Sequence, residues 1–289
     1  RGHHDTRTPL YVGLVTALIN LVIEVALIIV LDFGIGASAL STVIAQWCGA
    51  LVYVALVGAE AQRHQVGLAP HLGRIAIQLR VGSALIVRTV ALRSIFLMAV
   101  AVAGRMGTVE LAAYQIGIGV WTFLAFAYDG IETAGQALVA RELGGRRSDE
   151  ARSAAGRVLL WAIGASVVLG VVTLLGHRVL ANLFSSDDVV VAAAAGALLW
   201  VGVGQPIAGP AYALDGVLVG AGDLRFLAGA MLAVTVTFGA GAALTLSTGA
   251  GLWALWATLL VSMAVRTALM SRRFRSAAWV RTGLPAGSA

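Results

Sequence analysis

The chain has 289 residues, 59% of them hydrophobic and 12% charged. A soluble globular domain is about half apolar and about a quarter charged, so composition excludes an ordinary soluble enzyme and a disordered segment alike. The net charge is +6 and all twenty basic residues are Arg. Most of them are spread over short polar stretches, not gathered in one patch, which argues against nucleic acid as a partner.

What remains is an all-α polytopic membrane protein. At roughly 20 residues per span, the length admits about eight to ten helices. Eight apolar segments follow in chain order, at 11–31, 37–58, 77–103, 109–139, 154–176, 189–219, 226–246 and 251–271. Backbone polar groups must be satisfied inside a bilayer, so these segments are expected to be helices. The alternating ten-residue pattern of a membrane barrel strand is not seen.

Orientation follows from the arginines. The stretches 1–8, 59–76, 140–153, 220–225 and 272–289 carry thirteen, and the intervening ones carry two, Arg105 and Arg178. The positive-inside rule places the first set in the cytoplasm. Both ends of the chain are then cytoplasmic and the protein is a multi-pass component of the cytoplasmic (inner) membrane. A single cysteine, Cys48, allows no intrachain disulfide. The chain opens on Arg1 with no signal-like stretch before the first apolar run, and we expect it to be a piece of a longer protein.

Two hairpins resemble each other. Asp5-Thr6-Arg7, an apolar segment, then Gly34-Ile35-Gly36 is echoed by Asp223-Leu224-Arg225, an apolar segment, then Gly249-Ala250-Gly251. This suggests a parallel duplication of the kind found in two-lobed transporters. The stretch from Ala59 to Arg74 reads as a cytoplasmic linker between bundles, and Leu143 to Arg152 as a plain polar loop.

Ionisable groups inside a bilayer cost at least ~2.5–3.5 kcal/mol each at its centre. Those that stand out are Glu24, Arg80, Arg88, Arg93, Asp129 and Glu132, with Asp215 near a segment end. Glu24 lies about 20 Å into its helix, one turn after Asn20. A carboxylate beside an amide can hold a proton or sodium ion, or it can be a neutral group bonded to a neighbouring helix. Asp129, Glu132 and Gln136 recur at i, i+3 and i+7 and share a face. Such a face suits a cationic substrate or a proton relay, with Arg88 or Arg93 as counter-charge; a structural salt bridge is the other reading. Asp129-Gly130 is expected to form a flexible joint. Gln205 sits beside Pro206 and Pro210, where a kinked, cavity-lining helix is expected. Gly216 and Gly220 form a GxxxG pattern suited to close helix packing.

Other apparent motifs carry little. The run from Gly34 to Ala39 fits GxGxxA but stands between two membrane segments, without the strand that dinucleotide binding needs. The histidines lack metal-ligand spacing. No P-loop, nucleophile triad or HExxH pattern is present, so no enzyme and no cofactor is expected.

Asp5-Thr6-Arg7-Thr8-Pro9-Leu10, then Asn20 and Glu24, then Gly34 to Gln46, resemble the multidrug and toxic-compound extrusion (MATE) family. So do Ala112-Ala113-Tyr114-Gln115-Ile116 followed by Asp129-Gly130-Ile131-Glu132. The string from Leu214 to Asp223 is most similar to its DNA-damage-inducible branch. The resemblance implies a transporter of twelve helices in two lobes, exporting cationic or amphipathic compounds by alternating access in exchange for protons or sodium. Mapped on that plan, 1–58 supply the last two helices of the N-lobe, 59–76 the interlobe linker, 77–272 the six-helix C-lobe and 273–289 a cytoplasmic tail. The lipid bilayer and the missing N-lobe helices are then the partners. Asn20 and Glu24 are implied as the cation-coupling pair, although the family usually has Asp at the second position, which favours protons over sodium. Tyr114, Gln115, Asp129, Glu132, Gln136, Gln205 and Asp215 are expected at the substrate cavity, balanced by Arg88 and Arg93. The rival readings are a lipid-linked-sugar flippase of the same superfamily and a non-transporting membrane scaffold.

Overall fold

The computed structural model describes residues 7–30, 35–63, 72–276 and 278–280. Asp5, Gly34, residues 64–71 of the expected linker and 281–289 of the expected tail lie outside them. All regular structure among the described residues is helical, and eight helices are long and apolar enough to cross a membrane.

The chain divides into two compact units, 1–75 and 76–289. In the first, helix α1 (Arg7–Val25) runs into a π-helical turn (Ala26–Val30) and is followed by α2 (Ile35–Arg63). The two helices close on each other at Gly49, where an added Cβ would stand 2.8 Å from Thr16 Oγ1.

The second unit is built from α3 (Leu72–Met106, whose first turn precedes the boundary), α4 (Thr108–Gly144), α5 (Ser148–Phe184), α6 (Asp188–Gly220), α7 (Leu224–Thr248) and α8 (Gly251–Arg275). Helix α6 is its axis and packs on α4, α5, α7 and α8. Many of its helix contacts are made by small residues, while large apolar side chains also cover its outside. Ala99, Ala103, Ala113, Ala155, Ala208 and Ala211 are fully or almost fully buried. Leu175 (81% exposed), Trp161 (75%) and Phe123 (73%) point outward. Small residues let helix backbones approach where no hydrophobic force drives them together, and large apolar side chains are left for the lipid.

Helices α4 and α5 have 37 residues each and outrun the segments expected at 109–139 and 154–176. The polar loop expected at 143–152 shrinks to the turn Gly145–Arg147, with Arg146 at φ 60°. Two causes are visible. Glu142 accepts from Arg141 and Arg147, at 2.6 Å each, at the end of α4. Asp149 and Glu150 stand in the first turn of α5, where the helix dipole favours acids. Helix α4 also passes through Gly130 without a break, so no joint forms there.

Helix α6 is likewise continuous across Pro206 and Pro210. Pro206 leaves the Gly202 carbonyl without its helical donor. That oxygen faces α5 at Gly170, where an added Cβ would sit 2.9 Å from it. Two caps define later ends. Asp187 Oδ1 accepts from the amides of Val189 and Val190 (2.8 and 3.1 Å), opening α6. Gly249 closes α7 in the left-handed region, at φ 64°.

The chain after α8 does not simply leave the bundle. Trp279 is 1% exposed, stacks on Phe274 (5.5 Å) and donates Nε1–H to the Phe274 carbonyl at 2.9 Å. It joins Leu143, Leu227 and Met270 in one apolar cluster. Arg273 forks onto Asp223 at 2.6 and 3.2 Å, tying α8 to the α6–α7 turn. The expected tail from 273 is therefore packed as far as Val280.

Candidate functional site: a buried charge cluster beside an apolar cavity

Helix α6 carries Gln205, Tyr212 and Asp215 at spacings of seven and three, which brings them to one side of the helix. Asp215 is completely buried. Its Oδ1 accepts from Nε of Arg88 on α3 at 3.2 Å, and its Oδ2 pairs with the Arg88 Nη2. Oδ2 also accepts from Nη2 of Arg266 on α8, at 3.0 Å. Arg88 Nη2 lies 3.8 Å from Glu132 Oε1 on α4. Two cations and two acids from four helices thus form one neutral cluster. A buried charge is tolerated when paired and hydrogen-bonded, and costs several kcal/mol when it is not.

The cluster continues through aromatic rings. The Arg266 guanidinium lies over the Tyr212 ring at 5.3 Å. Tyr212 stacks on Tyr128 with centroids 5.3 Å apart. Tyr128 donates its hydroxyl to Gln205 Oε1 at 2.9 Å, and Gln205 Nε2 donates to the Val201 carbonyl at 3.0 Å. Gln205 is 1% exposed and Tyr128 also 1%. Removing the hydroxyl strands the amide oxygen, so Tyr128→Phe is expected to cost about 1–2 kcal/mol. Unfolding of the purified full-length protein in detergent measures this; an unchanged transition would mean the bond contributes nothing.

The structure brings Arg88, Glu132 and Asp215 together and links Gln205 to them through two tyrosines. Asp215, five residues before the end of α6, stands at the centre of the cluster, where two guanidinium groups converge on it. Tyr114 is fully buried against the Trp256 ring (5.9 Å). Gln115, Asp129, Gln136 and Arg93 are exposed. Arg93 forms no ion pair among the described residues; Arg88 alone of the two meets the acids. In the first unit, Glu24 Oε1 accepts from Ser38 at 2.6 Å. Asn20 donates to Thr42 (3.4 Å) and accepts from Ser41 (3.3 Å). Glu24 stands two residues before the π-helical turn, a distortion common at functional positions. Of Arg80, only its place on α3 is described.

Arg266, Tyr128 and Tyr212 were not among the residues singled out from sequence. For Arg266 the signal was present: it is a cation inside the apolar segment 251–271. The tyrosines had a weaker one, each standing one or three residues before an intramembrane acid.

Beside the cluster, a narrow cavity opens between α3, α4, α7 and α8. Its walls include Phe96, Trp121, Val234, Trp256 and Met263, with Arg266 at one end. None of the seven residues expected at a substrate cavity lines it. Among the described residues, no group of three or more His, Cys, Asp or Glu side chains could hold a metal ion.

Comparison with known proteins places this architecture. The MatE family profile matches residues 84–243. Protein DETOXIFICATION 43 of Arabidopsis thaliana is 31% identical over 268 residues, covering 92% of this chain and 50% of its own length. DNA damage-inducible protein F of Escherichia coli (strain K12) is 28% identical over 297 residues, covering 96% and 62%. A probable multidrug resistance protein NorM of Xylella fastidiosa (strain 9a5c) is 26% identical over 253 residues, covering 84% and 54%. The chain spans about half the length of the curated relatives it matches. The fold is shared with the Vibrio cholerae MATE transporter VcmN in its bent form, at TM-score 0.73, 17% identity, and 96% and 65% coverage. It is also shared with a MATE crystal structure in the straight conformation, at TM-score 0.78, 16% identity, and 92% and 62% coverage. The chain belongs to the MatE family of membrane transporters.

Proposed function

We propose that the chain forms part of a secondary active antiporter that exports small amphipathic compounds across the cytoplasmic membrane in exchange for protons. On this reading 1–58 complete the N-lobe and 59–76 link the lobes. Residues 77–272 are the C-lobe, 273–289 follow it, and both ends are cytoplasmic. Helices outside this sequence supply the rest of the N-lobe on this reading. Substrate crosses by alternating access between the lobes.

The observation that carries the reading is the charge cluster of Arg88, Glu132, Asp215 and Arg266, held by four helices whose outer faces are apolar. Charges are retained at membrane depth where ions, protons or substrates move. The family and the relative named for multidrug resistance support export. Glu24, aided by Asn20, is the coupling group: Ser38 can donate to a carboxylate there and turn to accept once it is protonated.

Efflux of a fluorescent amphipathic compound from cells with the full-length protein tests this, with proton and sodium gradients collapsed separately. Loss with the proton gradient alone is the expected result. Glu24→Gln is expected to reduce gradient-driven efflux at least about tenfold, the scale of one lost charge-assisted hydrogen bond. Unaltered efflux in that variant overturns the coupling role. Loss with sodium alone overturns the ion choice. No gradient-dependent efflux of any kind overturns antiport and moves the reading to a flippase.

A further inference from the structure

A groove runs along the outside of the second unit between α4 and α5. Its apolar part has a volume of about 340 Å³, with walls that include Gly130, Ile131, Ala134, Val158 and Trp161. A polar part of about 190 Å³ follows toward the α4–α5 turn, where Arg141, Glu142, Glu150 and Ser153 stand. Leu138, Ala154 and Arg157 border both parts, so the groove is continuous. Its floor is tight, since an added Cβ at Gly135 would stand 2.9 Å from Val158 Cγ1. Its deep end is open: an added Cβ at Gly130 would meet nothing within 4 Å. None of Arg88, Glu132, Asp215 and Arg266 lines it, so it is separate from the charge cluster.

Depth in the membrane follows from length. Helix α5 has 37 residues and spans ~55 Å, against ~30 Å of hydrocarbon. Its apolar stretch, 154–176, lies at its middle, so ~12 Å of helix stands beyond the hydrocarbon at each end. Glu150, in the first turn, is then in the headgroup layer. Arg157 is at the hydrocarbon boundary, and its side chain leans back toward the start of the helix, where Nη1 donates to Ser153 Oγ at 2.8 Å. Its guanidinium is thus at the level of Ser153, one turn below Glu150. Trp161 stands one turn deeper than Arg157, beside the apolar slot.

The charges here are not equally free. Glu142 is buried and holds Arg141 and Arg147 at 2.6 Å each. Glu150 forms no ion pair among the described residues, and Arg157 uses one of its five N–H donors on Ser153. Inward from the membrane surface, the groove therefore offers a free carboxylate, a free guanidinium, an indole and an apolar slot. An ethanolamine phospholipid carries its ammonium, phosphate, glycerol ester and acyl chain in the same order. A glycerol headgroup brings no cation to Glu150. A choline headgroup brings one, but without an N–H to donate, and charge-assisted hydrogen bonds are the strong ones.

We propose that the groove between α4 and α5 binds phosphatidylethanolamine, with the ammonium at Glu150, the phosphate at Arg157 and one acyl chain along Ala134 and Trp161. Glu150 is the residue that selects the headgroup, and Arg157 holds the phosphate common to all phospholipids.

Native mass spectrometry of the full-length protein released from detergent tests this. Phosphatidylethanolamine, phosphatidylcholine and phosphatidylglycerol with identical acyl chains are offered in turn. The ethanolamine lipid is expected to bind about threefold to fivefold more tightly than either of the others, the scale of one partly exposed ion pair. Glu150→Gln is expected to bring it down to the choline lipid's level while leaving the choline lipid unchanged. Arg157→Ala is expected to weaken all three by about threefold or more. Gly130→Leu, which fills the deep end of the slot, is expected to weaken all three as well. Arg152→Ala, on the same helix but outside the groove, is expected to change none of them. All four positions are exposed, so the variants are expected to fold. Choline lipid bound as tightly as ethanolamine lipid overturns the inference, as does an ethanolamine preference that survives Glu150→Gln. Tighter binding of phosphatidylglycerol also overturns it and leaves only a basic patch. Binding indifferent to both Arg157→Ala and Gly130→Leu overturns it too, with helices outside this sequence then covering the groove.

Discussion

Asp215→Asn is expected to destabilise the second unit by about 3–5 kcal/mol, the range for removing one member of a buried ion pair. Asp215 is completely buried and is the shared acceptor of Arg88 and Arg266. The two arginines do not suffer equally. Arg88 is still 3.8 Å from Glu132, so it keeps an acid. Among the described residues Arg266 forms its one ion pair with Asp215 and is 3% exposed, so the loss of Asp215 leaves its charge to the more distant Glu132 and the Tyr212 ring. The cost therefore belongs mostly to a stranded Arg266, which gives the prediction a second arm. Asp215→Asn combined with Arg266→Gln is expected to recover more than half of the lost stability, since both charges are then gone and Arg88 retains Glu132. Denaturant unfolding of the full-length protein in detergent, with each single variant and the pair, measures the coupling. If the double variant is no more stable than Asp215→Asn alone, Arg266 is not the group that Asp215 neutralises.

Much of this architecture was legible in the sequence because the bilayer leaves so few options. Apolar runs of about 20 residues can only be helices at that depth, and all eight were found where runs were seen. Helix ends were less legible. The polar residues at 140–153 look like a loop by composition, yet they extend α4 and α5 beyond their apolar stretches. Hydropathy reports where lipid is, not where a helix stops, and the ion pairs of Glu142 keep the helices going.

The site was legible in its acids and not in its wiring. A one-helix argument gave Asp129, Glu132 and Gln136 a common face and offered Arg88 or Arg93 as partners. Two positions five apart on α3 point in different directions, and only interhelical geometry tells that Arg88 turns inward. The key partner of Asp215 is Arg266, 51 residues further on, and no local spacing connects them. The link through Tyr212 and Tyr128 to Gln205 was equally hidden, because stacking between rings on two helices leaves no mark along either one.

Gly216→Ala is expected to cost about 3 kcal/mol, at the upper end for overpacking, and to disrupt the charge cluster with it. A Cβ at Gly216 would collide with the Glu132 carbonyl and stand 2.9 Å from its Cα. At Gly220 it would stand 2.5 Å from the Gln136 carbonyl oxygen and 2.9 Å from the Gln136 Cα. These are backbone atoms, so no side-chain rotation can relieve the overlap. Helix α6 must retreat from α4 along a full turn. Glu132 and Asp215, which face each other across Arg88, lie beside the first of these contacts, so their distances change together. A control separates this from the ordinary effect of glycine in a helix. Gly119 on α4 and Gly196 on α6 have nothing within 4 Å of an added Cβ. Alanine there is expected to stabilise by roughly 0.5–1 kcal/mol through helix propensity. Gly216→Ala and Gly220→Ala are expected to move the other way. All four single variants can be compared by unfolding in detergent. Should Gly216→Ala behave like Gly196→Ala, the two helices do not approach as closely as this packing requires. The GxxxG pattern would then be an accident of composition.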